Sequence, residues 1–244
     1  MPTSEDSLLG GRVRISQPRD GARAAIDPVF LAAAIPAEPG QVVFDIGCGS
    51  GAASLCLAAR VPLCRIVGLE LQPDLARLAG DNFAANGMAG HITILAGDLL
   101  RPPPELVPGS FDHVMANPPF LERGRASLPP NAAKAAAAIE GEADLGDWVR
   151  FAAKMVRPKG SITFVHRADH LEALLGYLVG RVGGIVVFPL WPAAGRDAGR
   201  VLVRARKQIA APARLAAGLV LHEADGSFTA AAQAVLRDGE ALPL

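Results

Sequence analysis

Asn117-Pro118-Pro119-Phe120 places a carboxamide, a constrained main-chain carbonyl and an aromatic face within four residues. That set suits one difficult reaction, alkylation of an amine attached to a planar conjugated ring. Such an amine is a poor nucleophile because its lone pair is delocalised. If the Asn117 carboxamide oxygen and the Pro118 carbonyl each accept one N–H, the nitrogen is drawn toward pyramidal geometry. Its lone pair then points at an incoming electrophile. The two prolines restrict the backbone that presents the carbonyl, and Phe120 offers a face on which an extruded base can stack. No general base is needed, since the proton becomes acidic once the nitrogen is positive. Asn-Pro-Pro is also ordinary turn chemistry, so the residues upstream must decide between the readings.

Upstream, Val43-Phe44-Asp45-Ile46-Gly47-Cys48-Gly49-Ser50-Gly51 reads as a buried strand entering a glycine turn and then an apolar helix. Gly47, Gly49 and Gly51 let a nucleoside approach the backbone where the strand ends. Gly47, Gly49 and Ala52 also satisfy the loose dinucleotide fingerprint, and spacing alone leaves both ligands open. Charge separates them: a dinucleotide brings a pyrophosphate to this turn, whereas S-adenosyl-L-methionine brings a sulfonium and an ammonium. Asp45 beside the turn suits the latter. Glu70, about 20 residues on, could accept from both ribose hydroxyls, and Asp98, with Leu99 beside it, could accept from an adenine amine. Asp45, Glu70 and Asp98 end successive strands, so the expectation is that the three acids converge on one crevice.

The elements that must hold these residues follow the alternation of a parallel sheet covered on both faces. Strands are expected at Val42–Ile46, Arg65–Leu69, Ile92–Ala96, His113–Ala116, Ser161–His166, Gly184–Pro189 and Arg200–Ala205, seven in all. Helices are expected at Ala52–Ala59, Asp74–Asn86, Gly146–Val156 and Ala168–Val182. Only Leu190–Gly199 joins the last two strands, too short for a crossover helix, so one strand should run antiparallel. Residues 1–36 read as an N-terminal extension with a polar start and an apolar helical end at Pro28–Ile35. Residues 37–207 hold the α/β domain. Residues 208–244 form a tail with a hairpin over Leu219–Phe228, turning at Asp225-Gly226, and a helix over Thr229–Leu236. Leu121–Asp144 is the long insertion, placed where recognition loops often sit.

Half of the 244 residues are hydrophobic, enough for a sizeable core. The apolar run Ile185–Leu190 is far short of the roughly 20 residues a membrane span needs. With the acidic start Ser4-Glu5-Asp6, this points to a cytoplasmic protein with no membrane partner. Cys48, Cys56 and Cys64 form no CxxC pair, so reduced buried thiols are expected and no zinc site. His166 and His170, four apart, straddle a strand end and a helix start, and no metal is assigned to them. The net charge of zero means that any RNA must be held by local basic patches. Candidates are Arg12, Arg14, Arg19 and Arg23, then Arg123 and Arg125, then Arg200, Arg204, Arg206 and Lys207.

Asp45–Gly51 together with Asn117–Phe120 resemble the Rossmann-like class I methyltransferases of the Asn-Pro-Pro-Tyr/Phe group, which modify amino groups of DNA, RNA or protein glutamine. More narrowly, the chain resembles the bacterial tRNA adenine-N6 methyltransferase family. That match rests on Gln17-Pro18-Arg19-Asp20-Gly21, on Ile26-Asp27-Pro28-Val29-Phe30-Leu31 and on Arg200-Val201-Leu202-Val203. The resemblance implies S-adenosyl-L-methionine as cofactor, a tRNA substrate and a role for Asp27 at the cofactor's methionine end. Phe120 stands where the adenine-N6 members commonly carry tyrosine, and guanine-N2 enzymes also use phenylalanine there. The alternatives are therefore a guanine-N2 RNA methyltransferase, a protein-glutamine N5 methyltransferase, a nicotinamide-dependent oxidoreductase and a catalytically silent RNA-binding module.

Overall fold

The computed structural model describes residues 1–19, 25–119 and 142–244. Its first element is a hairpin of β1 (Thr3–Leu8) and β2 (Val13–Pro18), which forms a separate two-stranded sheet. Helix α1 (Asp27–Ala34) follows, with Pro28 in its first turn, where a missing N–H is harmless. Then come β3 (Val42–Ile46), α2 (Ala52–Arg60), β4 (Arg65–Glu70), α3 (Pro73–Ala85), β5 (Ile92–Ala96) and β6 (Phe111–Ala116). Helix α4 (Leu145–Met155), capped reciprocally by Asp144 and Asp147, leads into β7 (Val156–Arg167). After α5 (Leu171–Leu178) come β8 (Val182–Ala193) and β9 (Arg200–Lys207), then the short β10 (Arg214–Leu215) and β11 (Leu219–His222), and finally α6 (Ala230–Leu236).

The main sheet runs β8-β9-β7-β6-β3-β4-β5 through its seven long strands. β9 is antiparallel to both β7 and β8, and the pairs from β7 through to β5 are parallel. The expected single antiparallel strand is therefore β9, forced by the short connection from β8. β3 reads Val-Val-Phe-Asp-Ile, and its last four residues are buried, as suits a central strand covered on both faces. One apolar cluster joins α1, α2, the N-terminal hairpin and α6 on one side; a second joins the other face to α4 and α5. Ile46 pairs with Leu69 and Ala116, and Glu70 with Ala96, so the carboxyl ends of β3 to β6 lie level.

Some expected elements differ. The helix expected over Ala168–Val182 is a 3-10 turn (Ala168–His170) and a helix ending at Leu178, because Gly180 turns the chain and Val182 already starts β8. The N-terminal hairpin was not expected, since β1 is polar up to its last residue, Leu8. In the tail the turn at Asp225-Gly226 forms, with Asp225 accepting from the Ser227 N–H and hydroxyl. The His222–Phe228 bridge closes it, and Thr229 caps α6. The ladder partner of β11, however, is β8, in parallel, with β10 pairing nearer the start of the same strand. β8 would otherwise leave an open edge, and the tail covers it.

Candidate active site

A cavity of about 450 Å³ opens at the carboxyl ends of β3, β4, β5 and β6. That is the crevice in which open parallel sheets bind ligands, and the size suits a small-molecule site. Gly47 and Gly49 form its floor in left-handed conformations, φ 68° and 57°. The Gly47 and Cys48 N–H groups both donate to the Leu69 carbonyl, which folds the turn back over β4.

Glu70 lines the cavity and is only 6% exposed. Its carboxylate accepts from the Gly49 N–H and the Gln72 N–H, each at 2.9 Å, one per oxygen. Burial raises its pKa, and the N–H groups of Gln72, Gly49 and Leu71 oppose that rise. Glu70 thus braces the glycine turn as well as facing the cavity, so its acceptor capacity is already partly used. Asp98 and Leu99 also line the cavity, and Asp98 accepts from the Leu100 N–H at 2.9 Å while facing Arg101 at 3.3 Å.

The expected convergence of three acids is corrected at Asp45. Its carboxylate is 2% exposed, does not line the cavity, and accepts from the Ser54 hydroxyl at 2.7 Å behind the turn. Burial, then the nearby Glu70 charge, push its pKa up to about 7 against the Ser54 hydrogen bonds. Two further acids join Glu70 and Asp98 in the lining: Glu142, and Asp27 from the first turn of α1, held by Arg200 Nε at 2.9 Å. Gly51 is likewise outside the cavity lining. It caps α2 at φ 89°, and a Cβ there would lie 2.6 Å from the Phe83 ring.

Asn117, Pro118 and Pro119 line the same cavity directly after β6. The Asn117 Oδ1 is buried and has no hydrogen-bond partner among the described residues. An unpaired buried acceptor costs roughly 1–3 kcal/mol, so its placement in a cavity wall is the mark of a site awaiting a donor. Phe120 and the basic candidates Arg23, Arg123 and Arg125 lie outside the described residues, as does most of the Leu121–Asp144 insertion.

Sequence reasoning did not single out Trp148. It sits on α4, lines the cavity, and packs on the turn so closely that a Cβ on Gly47 would meet its ring at 2.4 Å. A tryptophan on an amphipathic helix carries no sign of this, because the contact is made across the sheet. Gln72 and Pro18 were also missed as wall residues. Cys48, Cys56 and Cys64 are free and buried, and burial raises all three thiol pKa values. The His166 and His170 rings lie 5.0 Å apart, and no group of three or more His, Cys, Asp or Glu among the described residues could hold a metal.

Residues 23–182 match the family model described as "Methyltransferase small domain". The chain belongs to this family. It is an S-adenosylmethionine-dependent methyltransferase of the Rossmann-like class I fold. It is 32% identical over 184 residues to the tRNA1(Val) (adenine(37)-N6)-methyltransferase of Porphyromonas gingivalis (strain ATCC 33277), covering 72% of this chain and 70% of that protein. It is 27% identical over 217 residues to the protein of the same name from Aeromonas hydrophila subsp. hydrophila, covering 88% and 89%. In fold it matches the crystal structure of "a predicted O-methyltransferase" from Agrobacterium tumefaciens, with TM-score 0.74, 23% identity and coverage of 89% and 98%. The methyltransferase has no described helix long and apolar enough to cross a membrane. Its cavity fits the cofactor chemically: Asp27, Glu70 and Asp98 offer acceptors and negative charge to a cationic, hydroxyl-bearing ligand, and the glycine turn keeps the floor low.

Proposed function

We propose that the methyltransferase modifies the N6 amine of adenine in tRNA. The observation that carries this reading is the buried Asn117 Oδ1 beside Pro118 in the cavity wall, which has no donor among the described residues. An exocyclic amine has such a donor to give. The names of the two relatives support adenine in tRNA over the other amine bearers. S-adenosylmethionine, when bound, supplies a methyl group on a positively charged sulfur. Asn117 and the Pro118 carbonyl accept the two N–H groups of the amine and re-aim its lone pair, and Pro119 restrains the backbone between them and Phe120. Phe120 stacks on the base. Asp27, Glu70, Asp98, Leu99, Gly47 and Gly49 hold the cofactor, and Asn117 borders it. Asp45 and Gly51 act on the same turn from behind, through Ser54 and Phe83.

In this reading residues 37–207 are the methyltransferase domain, residues 1–36 an extension and residues 208–244 a tail, and the protein works in the cytoplasm. RNA is held by local basic patches, with Arg12, Arg14 and Arg19 on the N-terminal hairpin and Arg204, Arg206 and Lys207 on β9; Arg200, a candidate from the sequence, is engaged by Asp27 instead. Incubating the protein with labelled S-adenosylmethionine and either bulk tRNA or release factors tests the proposal, with nucleoside mass spectrometry of the RNA. N6-methyladenosine in tRNA is the expected product. N2-methylguanosine, or label in protein glutamine, would replace the reading.

A further inference from the structure

We infer that Arg200 is a positioning residue that holds the Asp27 carboxylate in the cavity wall for the cofactor's cationic end. The inference rests on the cofactor role proposed for Asp27 and adds a residue that role requires. Asp27 opens α1, and a carboxylate there is drawn toward the unpaired N–H groups of its own helix. Holding it against the cavity instead takes a second, directional partner. Arg200 Nε supplies one, donating to Asp27 Oδ2 at 2.9 Å across 173 residues of chain.

The topology explains how a residue so late in the chain reaches this place. β9 runs antiparallel to its neighbours, so its first residue lies at the edge where β3 to β6 end. Arg200 pairs there with Arg167 at the end of β7 and with Leu190 on β8. A parallel strand in this position would bring its last residue to the cavity, not its first. The guanidinium is oriented at a second point, with Nη1 donating to the Gly199 carbonyl at 3.1 Å. A planar fork fixed at two points sets the direction of Asp27 in a way that a lysine ammonium cannot. The pair is not a surface ion pair of small worth: both side chains line the cavity, and the Asp27 side chain is 14% exposed.

The test is a double-mutant cycle read by calorimetric titration of S-adenosylhomocysteine, which needs no RNA. Arg200→Met, Arg200→Lys and Asp27→Asn should each weaken binding by about tenfold, the loss of one charge-assisted contact. The double variant Asp27→Asn/Arg200→Met should bind no worse than the weaker single, because Arg200 acts through Asp27. In turnover assays the KM for S-adenosylmethionine should rise in step while kcat changes less than about threefold. Additive losses in the double variant overturn the inference. So does unchanged S-adenosylhomocysteine affinity with a raised KM for tRNA, which would make Arg200 an RNA contact. Arg200→Lys keeps the charge and guards against loss of folding, which thermal melts check. Failure of the wild type to bind S-adenosylhomocysteine at all would instead sink the cofactor reading, and this inference with it.

Discussion

In the proposed reaction a single oxygen, that of Asn117, separates binding from turnover. On that reading Asn117→Ala removes the acceptor that re-aims the amine and leaves Glu70 and Asp27 in place for the cofactor. S-adenosylhomocysteine affinity should change little while kcat falls at least about a hundredfold, as expected when an orienting contact at the reacting atom is lost. Stopped-assay turnover beside calorimetry measures both, and retention of most of the rate would remove Asn117 from the reaction. The glycine turn offers a sharper contrast. Gly47 and Gly49 both have positive φ, but a Cβ on Gly47 would sit 2.4 Å from Trp148, whereas one on Gly49 meets nothing within 4 Å. Gly49→Ala should cost only the left-handed penalty, about 1 kcal/mol. Gly47→Ala adds a ring clash and should cost about 2–4 kcal/mol. Thermal melts without cofactor compare the two, and equal losses would mean Trp148 moves aside freely. The turn was legible from its glycines; which glycine meets a ring was not, because Trp148 lies about a hundred residues away.

Among the elements, the N-terminal hairpin shows how side chains can stand in for a strand. Asn82 on α3 and Asn86, the C-cap one turn later, present their amides to β2. Asn82 accepts from the Ser16 N–H at 2.8 Å and donates to the Ser16 carbonyl at 2.9 Å; Asn86 accepts from the Arg14 N–H at 2.9 Å and donates to the Arg14 carbonyl at 2.7 Å. Asn82 also donates to the Ser50 carbonyl in the glycine turn at 2.9 Å, so one buried amide ties the hairpin to the cavity floor. Asn82→Ala should therefore cost about 2–4 kcal/mol, since it strips partners from several part-buried backbone groups, and should weaken S-adenosylhomocysteine binding as well. Asn86→Ala, at the more exposed end, should cost less than about 1 kcal/mol. Urea unfolding checks the order, and equal costs would contradict it. Val13, Ile15 and Gln17 form the buried face of β2 at 0%, 1% and 2% exposed, but only the first two are apolar, too short an alternation to read as a strand. The polar run of β1 and the absence of a sheet partner hid it.

For the whole molecule, stability between pH 4 and 7 is set by groups with opposite signs. The Asp45 pKa rises from 3.8 to about 7. Across that window the native state keeps a proton that the unfolded chain has released, so this contribution is full below the unfolded value and is lost as pH rises toward 7. Burial lowers His113 and His166 from 6.5 to about 4. Their contribution is present above the unfolded value and is lost as pH falls to about 4. His113 is held neutral with its Nε2–H on Gln41 Oε1 and its Nδ1 accepting from Ser161, since the Gln41 oxygen can only accept. Asp45→Asn keeps an acceptor for Ser54 and removes the opposing trend. Its stability should climb more steeply with pH between 4 and 6.5 than that of the wild type, and superimposable urea-unfolding profiles would refute the assignment.

By itself the sequence determined what depends on neighbours along the chain. The strand positions of the α/β domain, the glycine turn, the single antiparallel strand implied by a ten-residue connection, and Asn117-Pro118-Pro119 at a strand end are all local patterns of spacing and side-chain type. Tertiary structure alone decided which of the strand-end acids turns away from the cavity. Asp45 and Glu70 look equivalent as strand-end carboxylates, yet Asp45 is turned behind the floor onto Ser54, and Asp27 with Arg200 takes its place. The direction in which a side chain leaves its backbone depends on what packs behind it, and those partners come from α1, α2 and β9, far apart in the chain.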